Sequence, residues 1–152
     1  MVSKVMKLVL TVAVLIACAS VAPAQNDYWL KTVRNDFREA SVVVRMNVLD
    51  TKLTENKDEY AYGFIASGIV TASFKGKFKP GQRLEFYVRA EHGYIHTTMR
   101  GDKIAFLTSF VNRKDGPFQE LPDGNTVTPY SKDLLTRVRK VWRESQRVKN
   151  RK

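Results

Sequence analysis

The stretch that most constrains this fold is the run from Tyr60 to Phe74, YAYGFIASGIVTASF: fifteen residues without a charge, with glycines at 63 and 68. Its aromatic and β-branched residues favour a sheet, but an ordinary strand has only five or six residues. The segment therefore has to bend. Gly63 and Gly68 provide places where an absent Cβ lets the backbone bulge or turn a corner. Tyr60, Tyr62, Phe64, Ala66 and Gly68 share one side, and beyond Gly68 a bulge can switch the inward side to a new set. Two shorter strands joined near Ser67-Gly68 are the alternative. Either way the expectation is an antiparallel sheet curled into a small closed barrel.

The neighbouring text supplies the other walls. Ser41 to Asp50 alternates, with Val42, Val44, Met46 and Val48 on one face, and residues 51–59 read as a polar loop. Pro80-Gly81 fits the middle of a type II turn, proline setting φ and glycine taking the positive φ. It leads into Leu84, Phe86 and Val88, with Tyr87 on the opposite side. Ala90 to Asp102 reads as a loop plus a short strand. In the late strand Ile104, Phe106, Thr108 and Phe110 alternate with Ala105, Leu107, Ser109 and Val111. The turn-rich segment 112–130 suggests an extra hairpin, with Phe118 and Leu121 on one limb and Val127 on the other. The predicted core is Val42, Val44, Phe64, Ile69, Leu84, Phe86, Ile104 and Phe106.

Both ends of the chain differ from this pattern. Trp29, Val33 and Phe37 fall on one side of a short helix or an irregular lead-in that covers an end of the barrel. At the other end Ser131 is placed to cap a helix, with Asp133 in the first turn near the free N–H groups. Leu134, Leu135, Val138, Val141 and Trp142 then make a helical stripe. Packing of that stripe on the barrel is expected, with Leu135, Val138 and Trp142 sealing one side. A membrane-surface helix is the alternative.

The first residues read as an export signal. Lys4 and Lys7 precede the apolar run 8–17, and Ala22-Pro23-Ala24 supplies a cleavage site before Gln25. Within it Leu15-Ile16-Ala17-Cys18 resembles a bacterial lipobox, so lipidation of Cys18 stands beside cleavage after Ala24. Cys18 is the single cysteine, which excludes a disulfide-stapled framework. The expected layout is an export signal at 1–24, or a lipoprotein signal at 1–17, a lead-in at 25–39, a barrel domain at 40–143 and a basic tail at 144–152. The protein is then periplasmic, extracellular or lipid-anchored in the envelope.

The formal net charge is +11, and it is unevenly placed. From Arg137 onward eight basic residues face one acid, Glu144, whereas residues 25–136 carry sixteen basic against fourteen acidic. Basicity concentrated at one end suits an acidic partner or an anionic surface; a solvated helix face with a disordered tail is the plainer explanation.

The pattern resembles the netrin-like module, the OB-fold domain shared with tissue inhibitors of metalloproteinases. The likeness rests on the Val-rich strand from Ala40 to Leu49, on Tyr62, and on Phe74-Lys75-Gly76. It extends to Gly93, to Gly101-Asp-Lys-Ile-Ala-Phe-Leu107 and to the C-terminal helix. It implies a five-stranded OB-like barrel, all-β with a C-terminal helix, serving as a binding scaffold. Inhibition in that family uses a mature N-terminal cysteine whose amine and carbonyl grip a catalytic zinc. Here Gln25 would be the first residue after ordinary cleavage, an acylated Cys18 would have no free amine, and His92 stands before Gly93. The inhibitory mechanism therefore does not carry over.

Other chemistry finds little support. His92 and His96, with Glu91 or Asp102, are candidate metal ligands, but Gly93 opposes the helix that would bring them together, and a zinc site needs three or four converging ligands. No nucleophile elbow, poised carboxylate pair or phosphate-cradling glycine loop is present. Arg100-Gly101-Asp102 spells an adhesion tripeptide, though Gly101 is explained by a turn before the late strand. Single-strand nucleic-acid binding would draw on Lys75, Lys77, Lys79, Arg83 and Arg89 with Tyr87 as a stacking platform, but export removes the protein from cytoplasmic nucleic acid.

The sequence thus points to an exported, non-enzymatic binding module that needs no cofactor and no metal. Its partner is another envelope protein or an anionic surface. The candidate contact residues are Lys75, Lys77, Lys79, Arg83 and Arg89, together with Arg139, Arg143 and Arg147 on the last helix. An envelope hydrolase or metal-dependent enzyme built on the His92/His96 region is the alternative from another class.

Overall fold

β1, Val42–Lys57, is the strand on which closure depends, because its first half is paired on both sides. In the computed structural model, which describes residues 27–57, 61–91, 96–109, 118–121 and 127–150, it is followed by β2, Ala61–Lys75, and β3, Arg83–Glu91. A single 3-10 turn, His96–Met99, leads to β4, Gly101–Ser109. Two short strands, β5, Phe118–Glu120, and β6, Val127–Pro129, then precede the C-terminal helix. The strands run β1-β2-β3-β5-β4, and β1 also pairs with β4 from Val42↔Leu107 to Val48↔Gly101, which closes the ring. The β3–β5 pair is parallel and the others are antiparallel. This is an OB-like five-stranded mixed barrel.

β5 and β6 together make the fifth wall. Both run antiparallel to β4, at Leu107↔Glu120 and at Ala105↔Val127. Two steps along β4 are thus matched by seven steps on the other side, so the fifth strand is interrupted by an excursion. The expected hairpin is therefore corrected: its two limbs pair with β4 rather than with each other. Likewise β1 continues through the expected polar loop to Lys57, where Thr51, Lys52 and Leu53 pair with Ala66, Ile65 and Phe64. A hairpin arm at the rim of a barrel has little to bury, so its polar composition resembles that of a loop.

Long strands bend here, but not through the residue expected. Between Val48↔Gly68 and Asp50↔Ser67 the extra residue is Leu49 of β1. Gly68 lies opposite, and a Cβ there would come 2.2 Å from the Asn47 carbonyl oxygen. The corner thus needs glycine for backbone approach. Phe64, Ala66 and Val70 keep one inward side; beyond them Thr71 is an extra residue of β2, between Met46↔Val70 and Arg45↔Ala72, so the side switches there as the bulge reading expected. Gly63 serves differently, because the ring of Tyr87 lies over it, with the hydroxyl oxygen 2.2 Å from where a Cβ would be.

Inside the ring one apolar cluster holds Val42, Val44, Met46 and Val48 together with Leu84, Phe86 and Val88. Met99, at the end of the 3-10 turn, joins this cluster. That turn stands where a loop plus strand was expected. Lys103 is buried and donates from Nζ to the carbonyl oxygen of Thr98 at 3.1 Å, tying the turn to β4; burial holds this ammonium below its ordinary pKa. From β4 the interior receives Ala105 and Leu107, not Ile104 and Phe106. Those two share the outer face with their neighbours on β1, yet are 0% and 2% exposed. Ile69 is only half-buried, and Val70 takes the interior place predicted for it.

The outer face is sealed by the last helix. A helix over 27–39 (α1) precedes the barrel, and the C-terminal helix (α2) spans Lys132–Lys149. Contact divides the chain into two units, Met1–Val33 and Arg34–Lys152, with the boundary inside α1. Within the first unit Trp29 is exposed and stands edge-on to Tyr28. Within the second, α2 starts beside β4, where the Tyr130 N–H donates to the Asp102 carbonyl. It ends beside β2, where Trp142 meets Phe74 edge-to-face at 6.4 Å. Val43, opposite Phe106 on the same outer face, is likewise 0% exposed. Leu135, Val138 and Val141 form the helix's buried side, as the stripe predicted.

Candidate interaction surface

α2 forms where the sequence placed it. Ser131 is extended and accepts a hydrogen bond from the Leu134 N–H at 3.1 Å, and Asp133 lies in the first turn. The helix continues through Lys149, so the boundary drawn at 143 between domain and basic tail falls inside it.

With Leu135, Val138 and Val141 turned inward, helical spacing sends Lys132, Arg139, Lys140, Arg143 and Arg147 outward. All five are exposed. At 100° per residue they fall within an arc of roughly 100°, along roughly 22 Å of helix axis. No ion pair with any of them occurs among the described residues. The two acids of the helix are engaged at its flanks. Asp133 pairs with Arg137 at 2.7 Å, and Glu144 accepts from Arg34 Nε and Nη2, each at 3.1 Å. Arg34 holds the Glu144 carboxyl below its usual range, with Lys140 and Arg147 adding to the effect. Sequence reasoning named Arg139, Arg143 and Arg147 but not Lys132 and Lys140; the same helical period would have found both.

The basic segment 75–89 is arranged differently. Lys75 Nζ donates to the carbonyl oxygens of Phe37, at 2.8 Å, and Arg38, at 3.0 Å. Arg83 donates to Ser67 Oγ at 3.0 Å and lies 3.4 Å from Glu85. Lys77 and Lys79 are exposed around the turn, in which the Gln82 N–H donates to the Lys79 carbonyl and Gly81 has φ +87°, as the type II reading required. Arg89 is exposed, and its backbone N–H donates to Glu120 Oε1 at 3.2 Å. Burial pushes the Glu120 carboxyl up to about 7, against that hydrogen bond. Tyr87, proposed as a stacking platform, is 7% exposed, so its face is closed to a base. The segment thus ties Lys75 and Arg83 to partners and leaves Lys77, Lys79 and Arg89 exposed.

Arg100 and Asp102 also separate. Arg100 pairs with Asp50 at 3.1 Å, while the Asp102 carboxylate takes the Arg45 guanidinium, which stacks on Tyr130 at 3.9 Å. Gly101 has φ +95°, the turn expected before β4. The tripeptide is thus held by two unrelated ion pairs. Cys18, His92 and the side chains of Glu91 and His96 lie outside the described residues. Among the described residues no group of three metal-ligating side chains converges.

No family model matches the chain, and no curated protein matches it. The reading of function therefore rests on the surface just described.

Proposed function

We propose that this protein is an exported, non-catalytic binding module of the cell envelope that holds a polyanionic surface through the outward face of α2. One observation carries the reading: five exposed cations line one side of a helix whose other side is fastened to a barrel. Electrostatic attachment of this kind needs charges that are ordered together yet not neutralised by their own protein. The buried stripe supports contact through charge alone, because Leu135, Val138 and Val141 are engaged with the barrel rather than offered to lipid. The export reading rests on residues 1–24 and Cys18. The OB-like barrel with a following helix agrees with the netrin-like resemblance as a scaffold.

The test is sedimentation with vesicles of phosphatidylglycerol and, separately, of phosphatidylcholine at several salt concentrations. Binding confined to the anionic vesicles and weakening steeply with salt is expected. Equal binding to both, or none to either, sinks the reading. Recovery of the protein from its native cells for intact mass checks export: a mass beginning at Gln25 or at acylated Cys18 is expected, and an unprocessed Met1 refutes it.

A further inference from the structure

A second site lies away from the outward face of α2. The end of α1, the end of β2 and the last turns of α2 enclose a groove of about 530 Å³, a volume in the range of small-molecule pockets. Its floor is apolar, formed by Phe37, Phe74 and Val141, each 9% exposed or less. Its rim is cationic, with Arg38, Lys75 and Lys149. Val148, also on the rim, leaves 61% of its surface in water.

The charges of this groove are not balanced from within. Glu144 is the acid in its lining, and both of its oxygens are taken by Arg34. Lys75 is held at the groove by two carbonyl oxygens at the end of α1. An ammonium has three donors, so one remains beyond those two carbonyls, with the Phe37 ring of the floor 5.6 Å from Nζ. Burial and the nearby Lys149 both depress the Lys75 pKa. Lys75 is therefore partly desolvated with the exposed Lys149 nearby, and among the described residues no carboxylate pairs with either. An anion placed between them relieves both the desolvation and the repulsion.

We propose that this groove binds an aliphatic carboxylate of medium chain length, its head between Lys75 and Lys149 and its tail along Phe37, Phe74 and Val141. Head and tail are both required. The rim alone would suit any anion, and the floor alone any apolar molecule, but the groove joins the two within one molecule's reach. The tail also covers Val148.

Trp142 reports on the floor, because its ring meets that of Phe74. The chain has two tryptophans, so Trp29→Phe leaves Trp142 as the single indole. In that protein, purified as the cell leaves it, decanoate below its micelle-forming concentration is expected to change Trp142 emission saturably. Decanol, with the tail but no charge, and acetate, with the head but no tail, are each expected to bind at least about tenfold more weakly. Lys149→Gln keeps the Lys75 tether intact, so it is expected to fold normally and weaken decanoate about tenfold. Combined replacement of Arg139, Arg143 and Arg147 by Gln is expected to leave decanoate binding unchanged, which separates this site from the outward face of α2. Overturning results are no saturation with decanoate, decanol binding as well as decanoate, full affinity in Lys149→Gln, or loss in the triple variant.

Discussion

Two basic regions of this protein have similar compositions and opposite uses. Between residues 75 and 89 two of the five cations are tied to their own protein, Lys75 fastening the end of α1 and Arg83 held by Ser67 and Glu85, while Lys77, Lys79 and Arg89 are exposed. On α2 five cations stand in water on one face, and the acids that could neutralise them are engaged elsewhere. A positive charge in a sequence is available for recognition only if no carbonyl or carboxylate of its own protein takes it first. Replacing the exposed cations of α2 should accordingly alter binding and spare folding, and replacing Lys75 should do the reverse.

The largest effect is expected from Arg139→Gln, Arg143→Gln and Arg147→Gln together. At about 1 kcal/mol for each cation near an anionic surface, affinity for phosphatidylglycerol vesicles should fall more than about a hundredfold, with the thermal midpoint nearly unchanged. Arg83→Gln should leave vesicle affinity within about twofold, since surface pairs contribute under about 1 kcal/mol. If Arg83→Gln were as damaging as the triple variant, the contrast between the regions would collapse.

Next comes a pH effect under the 83–89 segment. The Glu120 carboxyl is raised to about 7 from an ordinary 4.5, so in this interval the folded protein holds a proton that the unfolded chain has released. Stability should therefore fall as pH rises from about 4.5 through 7, by on the order of 2 kcal/mol. Denaturant titrations at pH 5 and pH 8 should show the decline in the natural protein and a flatter profile in Glu120→Gln. Equal slopes would mean that water reaches this carboxyl freely.

Lys75→Met should cost about 1.5–2 kcal/mol of stability, because two charge-assisted hydrogen bonds at the end of α1 are lost. Urea unfolding measures it, and an unchanged midpoint would return Lys75 to the class of free surface charges. The smallest effect expected is that of Ser131→Ala, about 1 kcal/mol from the lost cap. It should leave vesicle affinity within about twofold, since Arg139 to Arg147 lie beyond the first turn.

Legibility in the sequence followed how many sides of an element are buried. The turn at Pro80-Gly81 and the cap at Ser131 were readable because each depends on a few adjacent residues. The inward set of β1 from Val42 to Val48 was readable because its other face turns polar at Arg45 and Asn47. β4 is apolar on both faces, so alternation could not say whether Ala105 and Leu107 or Ile104 and Phe106 entered the barrel. The cover that α2 gives to Ile104 and Phe106 comes from residues about thirty positions later. The interrupted fifth strand was hidden because β5 and β6 have three residues each, too few for a periodic signal. Of the candidate surface, the basic face of α2 was visible as a helical repeat. The engagement of Lys75 and the closing of Tyr87 over Gly63 were not, since both partners lie far away in the chain.

By itself, then, the amino-acid order determined that this chain would make a bent sheet followed by a capped amphipathic helix with most of its excess charge near one end. These are local properties, carried by period, turn residues and caps. Tertiary structure decided which face of β4 entered the barrel, which lysines and arginines were neutralised, and that Phe37, Phe74, Lys75, Val141 and Lys149 would border one groove. Those outcomes depend on contacts between residues tens of positions apart, and such contacts exist only once the ring has closed and α2 has been laid across it.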